Sequence, residues 1–251
     1  VLVHRKQRRG APRGFFACEA AGLRWLADAR GAPVVDVVEV GDDHLDLVRL
    51  EVCAPTRAAA RTFGAALAQT HSAGAAAFGS PPDGWSGDGF FGPLDAPLPM
   101  SSGSFTRWGE FLASCRLEPL GRLLHDAGID VPGLGELAEQ AAGGRWDDDE
   151  PPARVHGDLW AGNVAWTPDG ATLVDPAAHG GHRESDLAML ALFGFPYLED
   201  VLAAYDEAAP LRAGRQRRLA LHQVYPVGVH ALLFGGSYID QVRRLVVEAT
   251  R

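Results

Sequence analysis

His156-Gly157-Asp158-Leu159-Trp160-Ala161-Gly162-Asn163, followed by Val174-Asp175-Pro176, is the stretch on which the reading of this chain turns. An aspartate, an asparagine and a second aspartate behind a short apolar run fall between His156 and Asp175. Phosphoryl transfer from a magnesium nucleotide needs such a set. One carboxylate accepts the proton of the attacking hydroxyl, while an amide oxygen and another carboxylate hold the metal. The stretch therefore points to a phosphotransferase using ATP and Mg2+.

Each residue has a reading within that set. Asp158 is the candidate base. Asn163 returns to the same site if the residues between form a compact loop, which Gly162 eases by tolerating positive φ. Asp175 closes the short buried strand Thr172-Leu173-Val174, and with Asn163 supplies the metal ligands. His156 shapes the loop rather than titrating. Asp186, ahead of Leu187-Ala188-Met189-Leu190, suits a helix N-terminus, from which it can brace the catalytic loop by accepting backbone N–H bonds. Arg183 and Glu184 are expected to pair beside it. The kinase loop pattern His-Arg-Asp-Leu-x-x-x-Asn is met except at Gly157, which replaces the arginine. That argues against control by a phosphorylated activation loop. A metal hydrolase would use these histidines and carboxylates differently, but there is no His-Glu-x-x-His and no cysteine pair.

The rest of the chain is compatible. With 251 residues it can hold one large domain or two lobes. A net charge of −9 gives no reason to expect nucleic acid or an anionic membrane as partner. The basic run His4-Arg5-Lys6-Gln7-Arg8-Arg9 reads as a solvated strand end and loop. Three scattered cysteines form no disulfide framework and suit a reducing cytoplasm. No apolar run reaches the roughly 18 residues of a membrane span.

Along the chain, Val1-Leu2-Val3 reads as a strand, and Phe16 to Arg30 as an amphipathic helix. Val34–Val40 and Leu45–Val52 read as two antiparallel strands across Gly41-Asp42-Asp43. A helix follows Pro55 with Thr56 as N-cap and carries Phe63, Leu67 and His71. Residues 72–104, rich in Gly, Pro and Ser, read as an extended loop. Helical patterns recur over 105–126, 185–193, 196–208 and 214–249, and the acidic run Trp146–Pro152 reads as solvated surface. The implied fold class is α+β. A small β-rich lobe over residues 1–54 precedes a larger, mainly helical catalytic and substrate lobe over 55–251.

With these motifs the chain resembles the fructosamine kinase (ketosamine-3-kinase) family, a branch of the aminoglycoside-phosphotransferase and protein-kinase-like fold. The residues that carry the resemblance are 156–163, Asp-Pro-Ala-Ala-His-Gly-Gly-His-Arg-Glu-Ser-Asp-Leu-Ala-Met at 175–189, Phe-Gly-Phe-Pro at 193–196 and Ala-Tyr-Asp-Glu at 204–207. Phe16–Ala20, Leu50–Val52 and Phe91–Leu94 match as well. The resemblance implies ATP-dependent phosphorylation of a sugar hydroxyl on a ketoamine, free or protein-bound, in a deglycation repair role. It implies Leu50, Glu51 and Val52 as the hinge facing adenine, and Glu19 as the helix carboxylate pairing with a strand lysine on the phosphates. Trp160 would stack on the sugar or pack in the core, and His182 and Glu184 are assigned with it to substrate binding. The lysine is His4's position or Lys6, two residues on and facing the same side. The family's first two strands and phosphate-covering loop have no counterpart before Val1, so this chain as it stands is expected to bind ATP weakly. Two other readings stand beside this one: an aminoglycoside- or choline-type kinase, and a catalytically weak nucleotide-binding protein.

Overall fold

The computed structural model describes residues 2–251; Val1 of the expected first strand lies outside them. Strand β1 is Val3–Gln7 rather than the apolar triplet at the start. What orders it is pairing with β3 (His44–Val48), Lys6 opposite Leu45 and His4 opposite Leu47, together with a bidentate Arg5–Asp46 bond at 2.7 and 2.6 Å. Leu2 stays outside the strand and exposed. Strand β2 (Val37–Val40) pairs with the other edge of β3 through a bulge between Val37 and Glu39, giving the antiparallel order β1-β3-β2. Helix α1 (Phe15–Asp28) buries Phe16, Ala20 and Leu23 against Leu45 and Leu47 of this sheet.

Both expected strands are shorter than their apolar runs. Val34 and Val35 leave β2 to bridge the strand that precedes Asp175: Val35 N–H donates to Leu173 O at 3.1 Å, and Leu173 N–H to Pro33 O at 2.8 Å. Beyond β3, Arg49–Pro55 runs extended to α2 (Arg57–Ser72), whose first turn is capped by Thr56 Oγ1 accepting from Ala59 N–H at 3.1 Å. The expected loop at 72–104 contains a hairpin, β4 (Gly89–Phe91) with β5 (Leu98–Met100). Its prolines hide it from a pattern search, yet Pro99 costs little on a two-stranded ribbon with a free edge.

The larger lobe continues with α3 (Trp108–Leu112), one π turn (Ala113–Leu117), α4 (Glu118–Asp126) and α5 (Leu134–Ala142). Strand β6 (Ala153–Val155) pairs with β9 (His179–Gly181), and β7 (Val164–Thr167) with β8 (Gly170–Leu173). Helices α6 (Arg183–Leu190), α7 (Leu198–Ala208), α8 (Arg215–Phe234) and α9 (Ser237–Ala249) complete it. The helical span expected over 214–249 breaks at Gly235 and Gly236, both at positive φ. One core joins α3–α5 to α8 and α9 through Leu117, Leu120, Leu137, Val224 and Val242. Another packs α2 and α7 on β7 and β8 through Phe63, Leu67, Leu173 and Tyr205. Among the described residues no helix is long and apolar enough to cross a membrane.

Candidate active site

The loop between β6 and β7 is held from beneath by one buried carboxylate. Asp186, in the first turn of α6, accepts His156 N–H on Oδ2 at 2.7 Å and Gly157 N–H on Oδ1 at 2.9 Å. His71 of α2 lies 3.1 Å from the same Oδ2, with its other ring nitrogen 2.7 Å from the Tyr205 hydroxyl. Burial alone would raise the Asp186 carboxyl, but His71, His156 and the backbone donors outweigh it and hold it below its ordinary value. His156 fixes the loop from the other side. Its Nε2–H donates to Val174 O at 2.9 Å, and its Nδ1 accepts Asp158 N–H at 3.3 Å. That tautomer is neutral, and burial lowers its pKa further.

Gly157 adopts φ 82°, and a Cβ there would collide with the Ala177 carbonyl and the His179 ring. The missing arginine is therefore a demand of backbone geometry as well. Gly162 is needed for another reason than positive φ. It sits in a 3-10 turn (Ala161–Asn163), where any side chain would run into the Trp160 indole lying over it.

Asp158, Asn163 and Asp175 converge on a cleft of about 370 Å³ between the lobes. Asn163 Nδ2 donates to Asp158 O at 2.8 Å and to Asp158 Oδ2 at 3.0 Å, and approaches Asp175 O at 3.4 Å. Its amide oxygen takes no hydrogen bond from a described residue and is left for a cation. Asp175 holds φ 54°, the left-handed region that aspartate tolerates, with its side chain turned into the cleft. An amide oxygen beside a carboxylate is the donor set of a hard divalent ion, so these residues fit magnesium. Burial pushes the Asp158 carboxyl up to about 7; Asn163 opposes the rise, and the neighbouring Asp175 and Asp186 add to it.

Lys6, not His4, enters the cleft. Lys6 Nζ lies 2.7 Å from Glu19 Oε1 of α1 and 2.9 Å from Asp175 Oδ1. Burial alone would lower its ammonium, but the two carboxylates outweigh that and raise it, so it stays charged. Leu50, Glu51 and Val52 lie in the link between β3 and α2. Leu50 packs on the small-lobe core, and Glu51 and Val52 are exposed, so no side chain of the three lines the cleft. Trp160 is 39% exposed, lines the cleft and meets Phe193 edge-on at 6.2 Å, so it is not a core residue.

His182 and Glu184 lie elsewhere. Both are buried in a cluster behind the catalytic loop, away from the cleft. Glu184 takes a bidentate bond from Arg218 at 2.9 and 2.6 Å, and His222 Nε2 is 3.5 Å away. His182 caps α6 through Glu184 N–H and faces Asp148 at 3.3 Å. Neither side chain lines the cleft; His182 borders a smaller cavity behind the loop, and Glu184 is enclosed by Arg218 and His222. The expected Arg183–Glu184 pair does not form either, because neighbours at the start of a helix diverge; Arg183 pairs with Glu150 at 2.5 Å. Asp148 and Glu150 thus make the acidic run a clasp rather than free surface.

Sequence reading gave no role to the far wall of the cleft, formed by Phe90, Phe91 and Leu94 of the hairpin segment and by His230, Leu233 and Phe234 near the end of α8. The Phe-Phe-Gly-Pro-Leu run was a usable signal for the first group; the α8 residues are spaced like any helix face.

The fructosamine kinase family model matches residues 3–251. A probable ketoamine kinase of Thermus thermophilus is 34% identical over 242 residues, 96% of this chain and 85% of that protein. The solved structure of a candidate fructosamine-3-kinase from Thermobifida fusca is 43% identical, with a TM-score of 0.89 over 99% of this chain and 85% of that one. A choline/ethanolamine kinase family protein from Mesorhizobium loti, 17% identical, superposes with a TM-score of 0.58 over 95% of this chain and 83% of that one. That likeness shows the shared bilobal, protein-kinase-like α+β fold. Matched from its first described strand to its last residue, the chain belongs to the fructosamine kinase family.

Proposed function

We propose that this chain is an ATP- and magnesium-dependent kinase that phosphorylates a sugar hydroxyl of ketoamines, the rearranged adducts of sugars with amines, and so serves deglycation. The observation that carries the proposal is the meeting of Asp158, Asn163, Asp175 and the Lys6–Glu19 pair in one cleft. Lys6 would orient the nucleotide phosphates, with Glu19 fixing its position. Asn163 and Asp175 would hold magnesium, which neutralises charge on the phosphates. Asp158 would accept the hydroxyl proton as the sugar oxygen bonds to the γ-phosphorus and the bond to the β-phosphate oxygen breaks, releasing ADP. The adenine would meet backbone groups of Leu50, Glu51 and Val52, and Trp160 would offer its exposed face to the sugar. Three unpaired cysteines fit a reducing cytoplasm.

A ketoamine carries fewer amines than an aminoglycoside, and the cleft suits that. Its carboxylates are Glu19, Asp158 and Asp175, all engaged in the phosphoryl-transfer set, while the far wall is aromatic and aliphatic. A polycationic aminoglycoside would find no further acidic partners. Magnesium-dependent ATP consumption with ribulosyl-lysine and fructosyl-lysine, against a panel of aminoglycosides and choline, tests the assignment. Ketoamine turnover abolished in Asp158→Ala is expected; turnover of the panel without the ketoamines would overturn the substrate.

A further inference from the structure

Arg116 is a buried cation without a buried anion. It sits in the single π turn that interrupts α3–α4, a local form that often marks functional positions. The residue is only 4% exposed. Its guanidinium donates through Nη1 to Ser101 O at 2.8 Å and Cys115 O at 2.9 Å. It lies over the rings of Phe111 and Tyr225, 4.6 and 5.4 Å from their centroids. Among the described residues no carboxylate pairs with it, and Nε and Nη2 have no acceptor. The neighbouring Arg183 and Arg218, both more exposed, each have a carboxylate partner. An unpaired charge taken out of water is costly, and an unsatisfied buried group calls for an explanation, a bound ion being one.

The space beside it is suited to such a partner. Arg116 borders a cavity of about 50 Å³ with Gly157, His179, His182, Ser185, His222 and Tyr225. Burial holds His179 at about 3 and His222 at about 4, so both rings are neutral at pH 7. No carboxylate lines the cavity; Arg116 is its one guanidinium and the Tyr225 hydroxyl a further donor, while the Ser185 hydroxyl is engaged with His222 Nδ1 at 2.9 Å. The volume is several times the ~10–15 Å³ that seats one water, room for a small group of heavy atoms. The cavity also adjoins the active site. Phe91 and Met100 line both it and the cleft, and Gly157 on one side precedes Asp158 on the other.

We propose that Arg116 anchors a small monovalent anion in this annex behind the catalytic loop. The anion is either the carboxylate of an amino-acid-derived ketoamine, in which case the inference rests on the function proposed above, or a free ion such as acetate or chloride. A carboxylate here would favour acceptors made from amino acids over those made from neutral amines. A free ion would stiffen the loop that carries Asp158.

Two arms of one experiment separate these sources. In the first, thermal melting of the wild type is compared in sodium acetate, chloride and gluconate at equal ionic strength. A free-ion site gives a higher Tm in acetate or chloride than in gluconate, which is too bulky to enter, and Arg116→Gln removes the difference. In the second, kcat/KM is measured for fructosyl-glycine and fructosyl-glycinamide. An acceptor-borne carboxylate gives a preference for the acid on the order of tenfold, the size of a charge-assisted hydrogen bond, lost in Arg116→Gln and partly kept in Arg116→Lys. If the Gln variant does not fold, the Lys variant, which keeps the charge on a different fork, takes its place. The proposal is overturned if the wild type distinguishes neither pair, or if either preference survives unchanged without the guanidinium. Failure to turn over any ketoamine would strike the proposed function and leave the melting arm still decisive for the anion site.

Discussion

Gly157 carries more meaning in the structure than in the sequence. At φ 82° and against the Ala177 carbonyl, it leaves no room for any side chain. Gly157→Ala should therefore destabilise the fold by about 1–3 kcal/mol, the usual cost of forcing a side chain into such a conformation. Equal denaturation midpoints for variant and wild type would contradict this. Next to it, Asp158→Asn keeps the shape and removes the proposed base, so kcat should fall by about 10²–10⁴-fold with nucleotide affinity nearly unchanged. Since the carboxyl is held near 7 by burial, kcat/KM should decline on the acid side as it protonates. Magnesium held at Asn163, as proposed, would draw that midpoint downward, so the acid limb is expected at or below about pH 7. A midpoint well above this would assign the limb to another group. The meeting of Asp158, Asn163 and Asp175 was legible because they are close in sequence. The choice between His4 and Lys6 was not, because both face one side of the strand and only packing against Glu19 separates them. Gly162 was assigned the wrong reason, since the Trp160 ring that fills its side-chain space cannot be read from spacing.

At the scale of elements, the catalytic loop is a joint between β6, α6 and α2. Asp186 receives two of its backbone N–H groups and faces His71, with both side chains out of water. Asp186→Ala leaves those donors and the imidazole without a partner, a loss of about 3–5 kcal/mol by comparison with other broken buried pairs. Thermal unfolding should show a drop of that size together with loss of activity; an unchanged Tm would mean the loop stands without its brace. The acidic run at 146–152 shows the opposite lesson. Four acidic residues between a tryptophan and two prolines read as solvated surface, yet Asp147 accepts Gly109 N–H at 2.9 Å, and Asp148 and Glu150 clasp His182, Arg218 and Arg183. Their partners lie more than thirty positions away in sequence, beyond any local pattern. The β4–β5 hairpin was hidden for a different reason, since its prolines and glycines are the same residues that mark loops.

Across the whole molecule, buried titratable groups make stability a function of pH. Burial holds His179 at about 3 and His222 at about 4, against an ordinary 6.5. Burial alone would raise Glu184, but bonds from His222 and Arg218 outweigh it and hold it at about 2, against 4.5. All three folded values are depressed, so the unfolded chain binds more protons in acid. Their stabilisation is complete above about 6.5 and is lost as pH falls, first through the histidines and then below 4.5 through Glu184. Asp158, raised to about 7, works the other way over this window, but against two histidines it offsets only part of the loss, so Tm should still decline from pH 6.5 toward 4, and more gently in His222→Gln; a flat profile over that window would contradict the assignment. The two-lobed fold was legible as a β-rich start and a helical remainder around one motif. The bridge from Val34 and Val35 to Leu173, which ties the small lobe to the strand behind Asp175, was not, because it joins segments that sequence order separates.

The most direct measurement is mass analysis of ribulosyl-lysine and fructosyl-lysine after incubation with the chain, magnesium and ATP, each run beside Asp158→Ala. One phosphoryl group added to the sugar part by the wild type, and none by the variant, is expected. An unmodified ketoamine under conditions where the chain phosphorylates another alcohol, or equal product from the Asp158 variant, would contradict a ketoamine kinase that works through this carboxylate.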